Sequence, residues 1–452
     1  MKNDKLFILL AMSILLSLTA CEEEIYFQDQ DDIGNITVPT VLSDSFTSIW
    51  ATRQDNSVVI TVQYMNLDVA YKVTDNPDYP DHYEVYLASE KNDNWEKIKT
   101  IDVSSESRAF FTMSFEIQGL ANNEKYYIYL QEITKKNVTT NSNLAVFIPS
   151  AYKPEYRFIL DDYHGHDLYS FGANLSNENI VYSTKYFEYQ EGYSAPAIFL
   201  SKSGNEPLLI DTRCWFPDFS SDGKLITYSS YTGEVFDGNI MPEHIMIYNT
   251  ECKESTRVTS GYSINKHPAW SPDNKLIAFS SSDESDNDMR IFLYDTKTSG
   301  SRILAAGSDE EEGVLRYSQE HPAWSADGKY VYYTHLYFTN ENVNPGFYDI
   351  YRIRSNDGIS EKVFRFKGVE CAPAISPDNS KIAFLTDLSG KLQIWIYDFE
   401  KQEFSQLFDN DIYSFMECWS KIRWKDNNTI LFTACSNEKP GFEDGLFSVS
   451  IE

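Results

Sequence analysis

Pro268-Ala269-Trp270-Ser271-Pro272-Asp273-Asn274 decides the fold, because the chain contains it in four related copies. The others are Pro217-Asp218-Phe219-Ser220-Ser221-Asp222-Gly223, Pro322-Ala323-Trp324-Ser325-Ala326-Asp327-Gly328 and Pro373-Ala374-Ile375-Ser376-Pro377-Asp378-Asn379. The large residue recurs at 219, 270, 324 and 375, giving spacings of 51, 54 and 51. A fixed period of this length is the signature of a repeat architecture. Each copy reads as the end of one strand, a tight turn and the start of the next. Aspartate can accept a hydrogen bond from the backbone two residues on, and glycine or asparagine tolerates the left-handed conformation such turns need. An alternating apolar run follows, as in Leu276-Ile277-Ala278-Phe279-Ser280, and then further strands, as in Ile291-Phe292-Leu293-Tyr294-Asp295 and Ile394-Trp395-Ile396-Tyr397-Asp398. Four strands per unit make a sheet that cannot bury its faces alone, so neighbouring units must stack around an axis as propeller blades.

The repeat Pro-Ala-Trp-Ser-Pro-Asp-Asn-Lys, with Phe384-Leu385-Thr386-Asp387, Gly390, Ile394-Trp395 and Asp398 downstream of the last copy, resembles the repeats of TolB-type propellers. A degenerate copy runs through Trp424, Asp426, Asn427 and Leu431-Phe432. Another precedes the series around Ala173 to Ser183, with Ile198-Phe199-Leu200 as its third strand. Counting both gives six blades, the number the resemblance implies. The last unit stops at Leu446-Phe447-Ser448-Val449-Ser450, a third strand. Its missing fourth is expected from Tyr156-Arg157-Phe158-Ile159-Leu160, which would remove a free sheet edge and tie the ring shut. The propeller is expected over residues 155–452.

Residues 39–150 read as short alternating strands between turn signals. Val58-Val59-Ile60-Thr61-Val62, Tyr83-Glu84-Val85-Tyr86-Leu87 and Tyr126-Tyr127-Ile128-Tyr129-Leu130 are the clearest. Gly119-Leu120 followed by Tyr126 resembles the tyrosine corner of fibronectin type III domains, whose phenol bonds backbone a few residues upstream. The expected fold class is therefore all-β: a fibronectin type III-like β-sandwich followed by a six-bladed TolB-like β-propeller.

Residues 1–20 read as a signal peptide. Lys2 and Lys5 precede an apolar core from Leu6 to Leu18, too short to span a bilayer as a helix. Leu18-Thr19-Ala20-Cys21 resembles the bacterial lipobox, which makes Cys21 the expected lipidation site and the membrane a partner through that anchor. Glu22, Glu23 and Glu24 resemble the surface-export signal of Bacteroidetes lipoproteins. Outer-membrane anchoring with cell-surface exposure is one expectation and the periplasmic face the alternative, with 21–38 as an acidic tether. A net charge of −30 argues against nucleic acid, because no basic face is present to neutralise phosphates. Beyond Cys21 stand Cys214, Cys252, Cys371, Cys418 and Cys435, an odd number that leaves at least one thiol unpaired and buried.

Propeller function sits where the blade loops converge on the channel. His267 and His321 occupy the same repeat position, directly before Pro-Ala-Trp, and His164 and His166 follow the expected closing strand. Near Asp161, Asp162, Glu320 or Glu370, these imidazoles are candidate ligands for a divalent transition metal. The set is similar to the histidine-rich site of oligogalacturonate lyases, TolB-like propellers whose ligand motif does not map onto this chain residue by residue. The other reading has the histidines bonding neighbouring backbone. Asp283 to Asp288 and Asp309 to Glu312 read as exposed turns rather than calcium loops. No Gly-x-Ser-x-Gly nucleophile elbow, phosphate loop or dinucleotide fingerprint occurs. Aromatic residues such as Tyr186, Phe187, Tyr193, Tyr231 and Phe236 fall in the longer inter-strand segments and suit sugar stacking or peptide grip. The first expectation is a non-enzymatic envelope lipoprotein that binds a protein or glycan without a cofactor. The alternative is a glycan-active enzyme, such as a metal-dependent polysaccharide lyase.

Overall fold

The computed structural model describes residues 45–66, 79–104, 110–151, 156–160, 168–174, 179–190, 193–202, 206–231, 242–261, 263–282, 288–304, 316–338, 347–364, 369–407, 413–414, 421–436 and 444–451. Cys21, His164, His166, Asp161, Asp162, Asp309 to Glu312, Cys418 and most of Asp283 to Asp288 lie outside them.

Each repeat turn forms as its residues dictate. The Ser220, Ser271, Ser325 and Ser376 hydroxyls donate to the aspartate two positions on at 2.6–2.8 Å. Each serine Oγ in turn accepts the amide that opens the next strand, at 2.9 Å for Leu225, Leu276, Tyr330 and Lys381. Gly223, Asn274, Gly328 and Asn379 take the left-handed φ, between 59° and 71°. Asparagine adds something glycine cannot. Asn274 Oδ1 accepts the amide of Ser221 at 2.7 Å, and Asn379 Oδ1 that of Ala326 at 2.7 Å, so each reaches the preceding blade.

The strands so joined build six blades among the described residues. Blade one is Leu168–Ala173, Ile180–Gln190, Tyr193–Ser201 and Leu208–Thr212. Blade two is Cys214–Phe219, Leu225–Tyr231, Glu243–Asn249 and Glu254–Arg257. Blade three is Asn265–Trp270, Leu276–Ser282, Met289–Asp295 and Gly300–Ile303. Blade four is Arg316–Trp324, Tyr330–Phe338, Phe347–Arg354 and Ser360–Lys362. Blade five is Glu370–Ile375, Lys381–Thr386, Gln393–Asp398 and Glu403–Gln406. Blade six is Ile422–Asp426, Thr429–Ser436, Asp444–Ser450 and, from the other end of the chain, Tyr156–Leu160. That last strand pairs antiparallel with Asp444–Ser450 in the register Phe447↔Phe158, so the ring closes by the expected strand sharing.

The cores lie between blades rather than within them. One cluster unites Val181, Ile198 and Leu200 of blade one with Phe219, Ile226 and Tyr228 of blade two. Equivalent clusters fill the other interfaces, including Phe171, Tyr182 and Phe199 against Leu431 and Leu446 where blade one meets blade six. Burial on this scale, at about 25 cal/mol per Å² of apolar surface, is what holds stacked sheets together.

Ahead of the ring, two sheets pack face to face. Ser45–Gln54, Ser57–Asn66 and Phe110–Gln118 form one; Asn92–Asp102, Pro80–Ser89, Tyr126–Thr134, Thr139–Asn141 and Ala145–Phe147 form the other. Alternation puts Val58, Ile60 and Val62 opposite Tyr83, Val85, Ile128 and Leu130 in one core. The Tyr126 phenol accepts the amide of Ala121 at 3.0 Å, the hydrogen bond expected of the corner.

This sandwich is docked on blade five. The Ala51 amide donates to the Ser389 carbonyl at 2.8 Å and the Val146 amide to the Leu388 carbonyl at 2.6 Å. Tyr127, Val146 and Ile148 share a core with Ile382, Phe384 and Trp395. Gly390 adopts φ +86°, and a Cβ there would run into the Ile49 carbonyl. No helix among the described residues is long and apolar enough to cross a membrane.

Candidate functional site: the central channel

The innermost strand of blades two to five carries the same irregularity. Phe216, His267, His321 and Ala372, each directly before the repeat proline, have φ between 53° and 56°. At each the ladder slips, for instance between Lys266 and Ala269 and between Glu320 and Ala323. This is a β-bulge, which re-aims a side chain at the cost of local pairing. Non-glycine residues hold such a φ only where the surroundings impose it. Here a hydroxyl of the preceding blade takes the bulged amide: Ser170 Oγ accepts from Phe216 and Thr334 Oγ1 from Ala372.

The bulged side chains meet in series. Phe216 and His267 have ring centroids 4.1 Å apart, and His267 and His321 3.9 Å apart. Tyr169 continues the arc on the far side of Phe216, at 5.7 Å. The Glu320 carboxylate joins the two imidazoles, with one ligand atom of each residue within 4.8 Å of the others. Ser318 Oγ donates to Glu320 Oε1 at 2.7 Å. Both ring nitrogens of His321 are shielded from solvent and make no hydrogen bond among the described residues, so the backbone-bonding reading does not hold for it.

Opposite stands a second polar group. Lys421 of blade six lies three residues before Trp424, as His267 and His321 lie three before Trp270 and Trp324. Its ammonium donates to the Pro217 carbonyl at 3.1 Å and stands 3.8 Å from Asp218 of blade two, to which Arg423 also donates. Blades two and six are not neighbours, so these contacts cross the channel past blade one. Asp218 replaces the alanine of the other copies and further accepts the Trp270 amide at 3.0 Å.

Burial sets the protonation states. It pushes His321 down to about 3 and His267 well below the usual imidazole range, reinforced in both by nearby ammonium groups and in His267 by its neighbouring imidazole. It lowers Lys421 to about 8 against the attraction of Asp218, and raises Glu320. The two imidazoles are therefore neutral at pH 7 and keep a lone pair each.

Beside the repeat turns lies a cavity of about 320 Å³. Trp270, Trp324, Trp424 and the repeat prolines give it apolar walls; His267, His321, Lys421 and Arg423 line it as well. Exposed Ser221, Ala326 and Pro377 stand on its rim.

Of the expected residues, the structure thus brings together His267, His321 and Glu320. Glu370 sits apart, buried beside Asp349 and Asp387, whose charges and its own burial raise it. Phe187 packs on Phe199 at 5.2 Å and Tyr231 on Trp215 at 4.9 Å, so both serve the walls of the ring. Cys214 and Cys371 are unpaired and buried, and Cys252 is unpaired and exposed.

No family model matches the chain. A TolB homolog of Chlorobium luteolum is 28% identical over 144 residues, 32% of this chain and 28% of that protein. The Tol-Pal system protein TolB of Francisella tularensis is 23% identical over 271 residues, 57% of this chain and 54% of that protein. The chain thus spans about half, or less, of the length of these curated relatives. The structure of a putative TolB from Agrobacterium tumefaciens aligns over 69% of this chain and 94% of that one, at 14% identity and TM-score 0.44. With the repeat, the blades and the two curated relatives together, the ring is a TolB-like β-propeller.

Proposed function

We propose that this chain is a cell-envelope lipoprotein, lipidated at Cys21, whose TolB-like propeller binds a protein partner at the turn-bearing mouth of its channel. The observation that carries the reading is the 320 Å³ cavity there, with apolar walls and an ion-paired cluster of Lys421, Arg423 and Asp218. A concave apolar pocket with a few convergent polar groups is where ring-shaped folds take ligands. Its size suits an aromatic or acidic side chain of a partner, or a chain end. The Francisella tularensis relative is by name a Tol-Pal system protein, which supports a protein partner over a glycan. The two-sheet unit, with its Tyr126 corner, is a fibronectin type III-like mount for the ring. Residues 21–38 would tether it to the outer membrane, either at the cell surface, the destination of the export signal that Glu22 to Glu24 resemble, or at the periplasmic face.

Two measurements test this. Mass spectrometry of the mature amino terminus should find a lipid-modified Cys21, and Cys21→Ala should release the protein from membranes. A photo-crosslinker at Ala326 on the rim should capture a defined envelope protein that one at Lys297, on an outer turn, does not. Equal capture at both positions, or loss of neither product on Arg423→Glu, would count against a mouth-binding propeller.

A further inference from the structure

From the geometry of the channel we infer that His267, His321 and Glu320 form a binding site for one divalent transition-metal ion. The imidazoles come from equivalent positions of adjacent blades, and the same bulge, with φ 54° at both, brings their ring centroids to 3.9 Å. One ligand atom from each of the three residues already lies within 4.8 Å of the others. Closing to coordination distances of about 2.0–2.2 Å asks only for side-chain adjustment of about an ångström. Two imidazoles and one carboxylate leave a coordination position open for a further ligand.

Independent support comes from His321, whose two ring nitrogens are hidden from water with no hydrogen-bond partner among the described residues. Buried polar atoms in that state are rare, and a metal bond would answer one of them. The charges also suit a cation. Glu320 brings a carboxylate beside the two imidazoles. The two ammonium groups facing the cluster are engaged elsewhere: Lys266 with Glu243 at 3.4 Å and Lys421 with Asp218 at 3.8 Å. The 320 Å³ cavity that both histidines line gives an ion a path from the rim. Nitrogen ligands with a single carboxylate select zinc or its neighbours over calcium and magnesium, which take oxygen sets. The inference stands whether or not the mouth binds a partner.

The test is a cobalt(II) titration of the full chain, free of histidine tags and stripped by dialysis against chelator. Visible absorption from bound cobalt should saturate at a single site, and zinc should displace it. His321→Ala and His267→Ala should each weaken binding by about a hundredfold or more, and Glu320→Gln by about tenfold. The repeat already carries alanine at the equivalent Ala372, so these variants should keep the wild-type circular dichroism and melting profile. His335→Ala removes a buried histidine outside the trio and should leave the titration unchanged. No saturable absorption in the wild type, or undiminished binding in His321→Ala, overturns the site.

Discussion

Asn274 clamps blade three to blade two, its Oδ1 accepting the Ser221 amide at 2.7 Å and the Ser221 hydroxyl at 2.9 Å while its own φ is +59°. One residue thus meets two demands, the left-handed turn and the bond to the neighbour. They can be separated. Asn274→Gly keeps the turn and loses the clamp, costing about 1 kcal/mol. Asn274→Ala loses the clamp and also puts alanine, which lacks asparagine's tolerance of the left-handed region, at this turn, adding about another 1 kcal/mol. Urea unfolding should rank the stabilities as wild type, glycine, alanine; a glycine variant as stable as wild type would show that the clamp carries nothing.

Gly390 should control the docking of the sandwich. Its positive φ and its approach to the Ile49 carbonyl leave no room for a Cβ. Gly390→Ala is expected to break the pairings of Ala51 with Ser389 and of Val146 with Leu388, at a cost of about 3 kcal/mol. Calorimetry should then resolve two transitions where the wild type shows one. A single unshifted transition would mean that the two units do not depend on this contact.

Closure of the ring depends on Tyr156–Leu160 pairing with Asp444–Ser450. A chain beginning at residue 156 should still melt cooperatively, whereas one beginning at residue 161 leaves an open strand edge and should aggregate or melt far lower. Matching melting curves for the two would refute the shared blade.

Acid should loosen blade four through His335. Burial, with the Lys362 charge second, pushes this imidazole down to about 4 from an ordinary 6.5. Between those values the unfolded chain takes up a proton that the folded chain refuses. The stability contribution is therefore whole above pH 6.5 and drains away as pH falls toward 4, by about 1.4 kcal/mol per pH unit at its steepest. His335→Gln should make that part of the stability–pH curve measured by urea unfolding less steep, the remaining slope coming from His267 and His321. A curve parallel to wild type would place the acid sensitivity elsewhere.

Much of the ring was legible because each repeat turn is specified locally. Ser271, Asp273 and Asn274 satisfy one another within a few residues, so spacing alone predicts their geometry. The Tyr126 hydrogen bond is legible for the same reason, spanning only five positions. The channel was legible in part. Pseudo-symmetry places His267 beside His321, yet Glu320 was one of several acidic residues nearby, and only the bulge selects it. Lys421 could have been found by counting three residues back from Trp424. Its pairing with Asp218, and that of Arg423, could not, because these residues are more than 200 positions apart on blades that do not adjoin. The docking of Ala51 on Ser389 was equally hidden, since backbone hydrogen bonds leave no signature in side-chain pattern.

That docking has a mechanical meaning. Two backbone hydrogen bonds and a shared core lock the sandwich to blade five, so the joint between them is a weld and not a hinge. Whatever grips the chain ahead of Ser45 therefore dictates the compass bearing of the channel axis, not merely its distance from the support. A tug on that end would reach the ring as torque on a single blade, and the clamps between blades would share it around the circle.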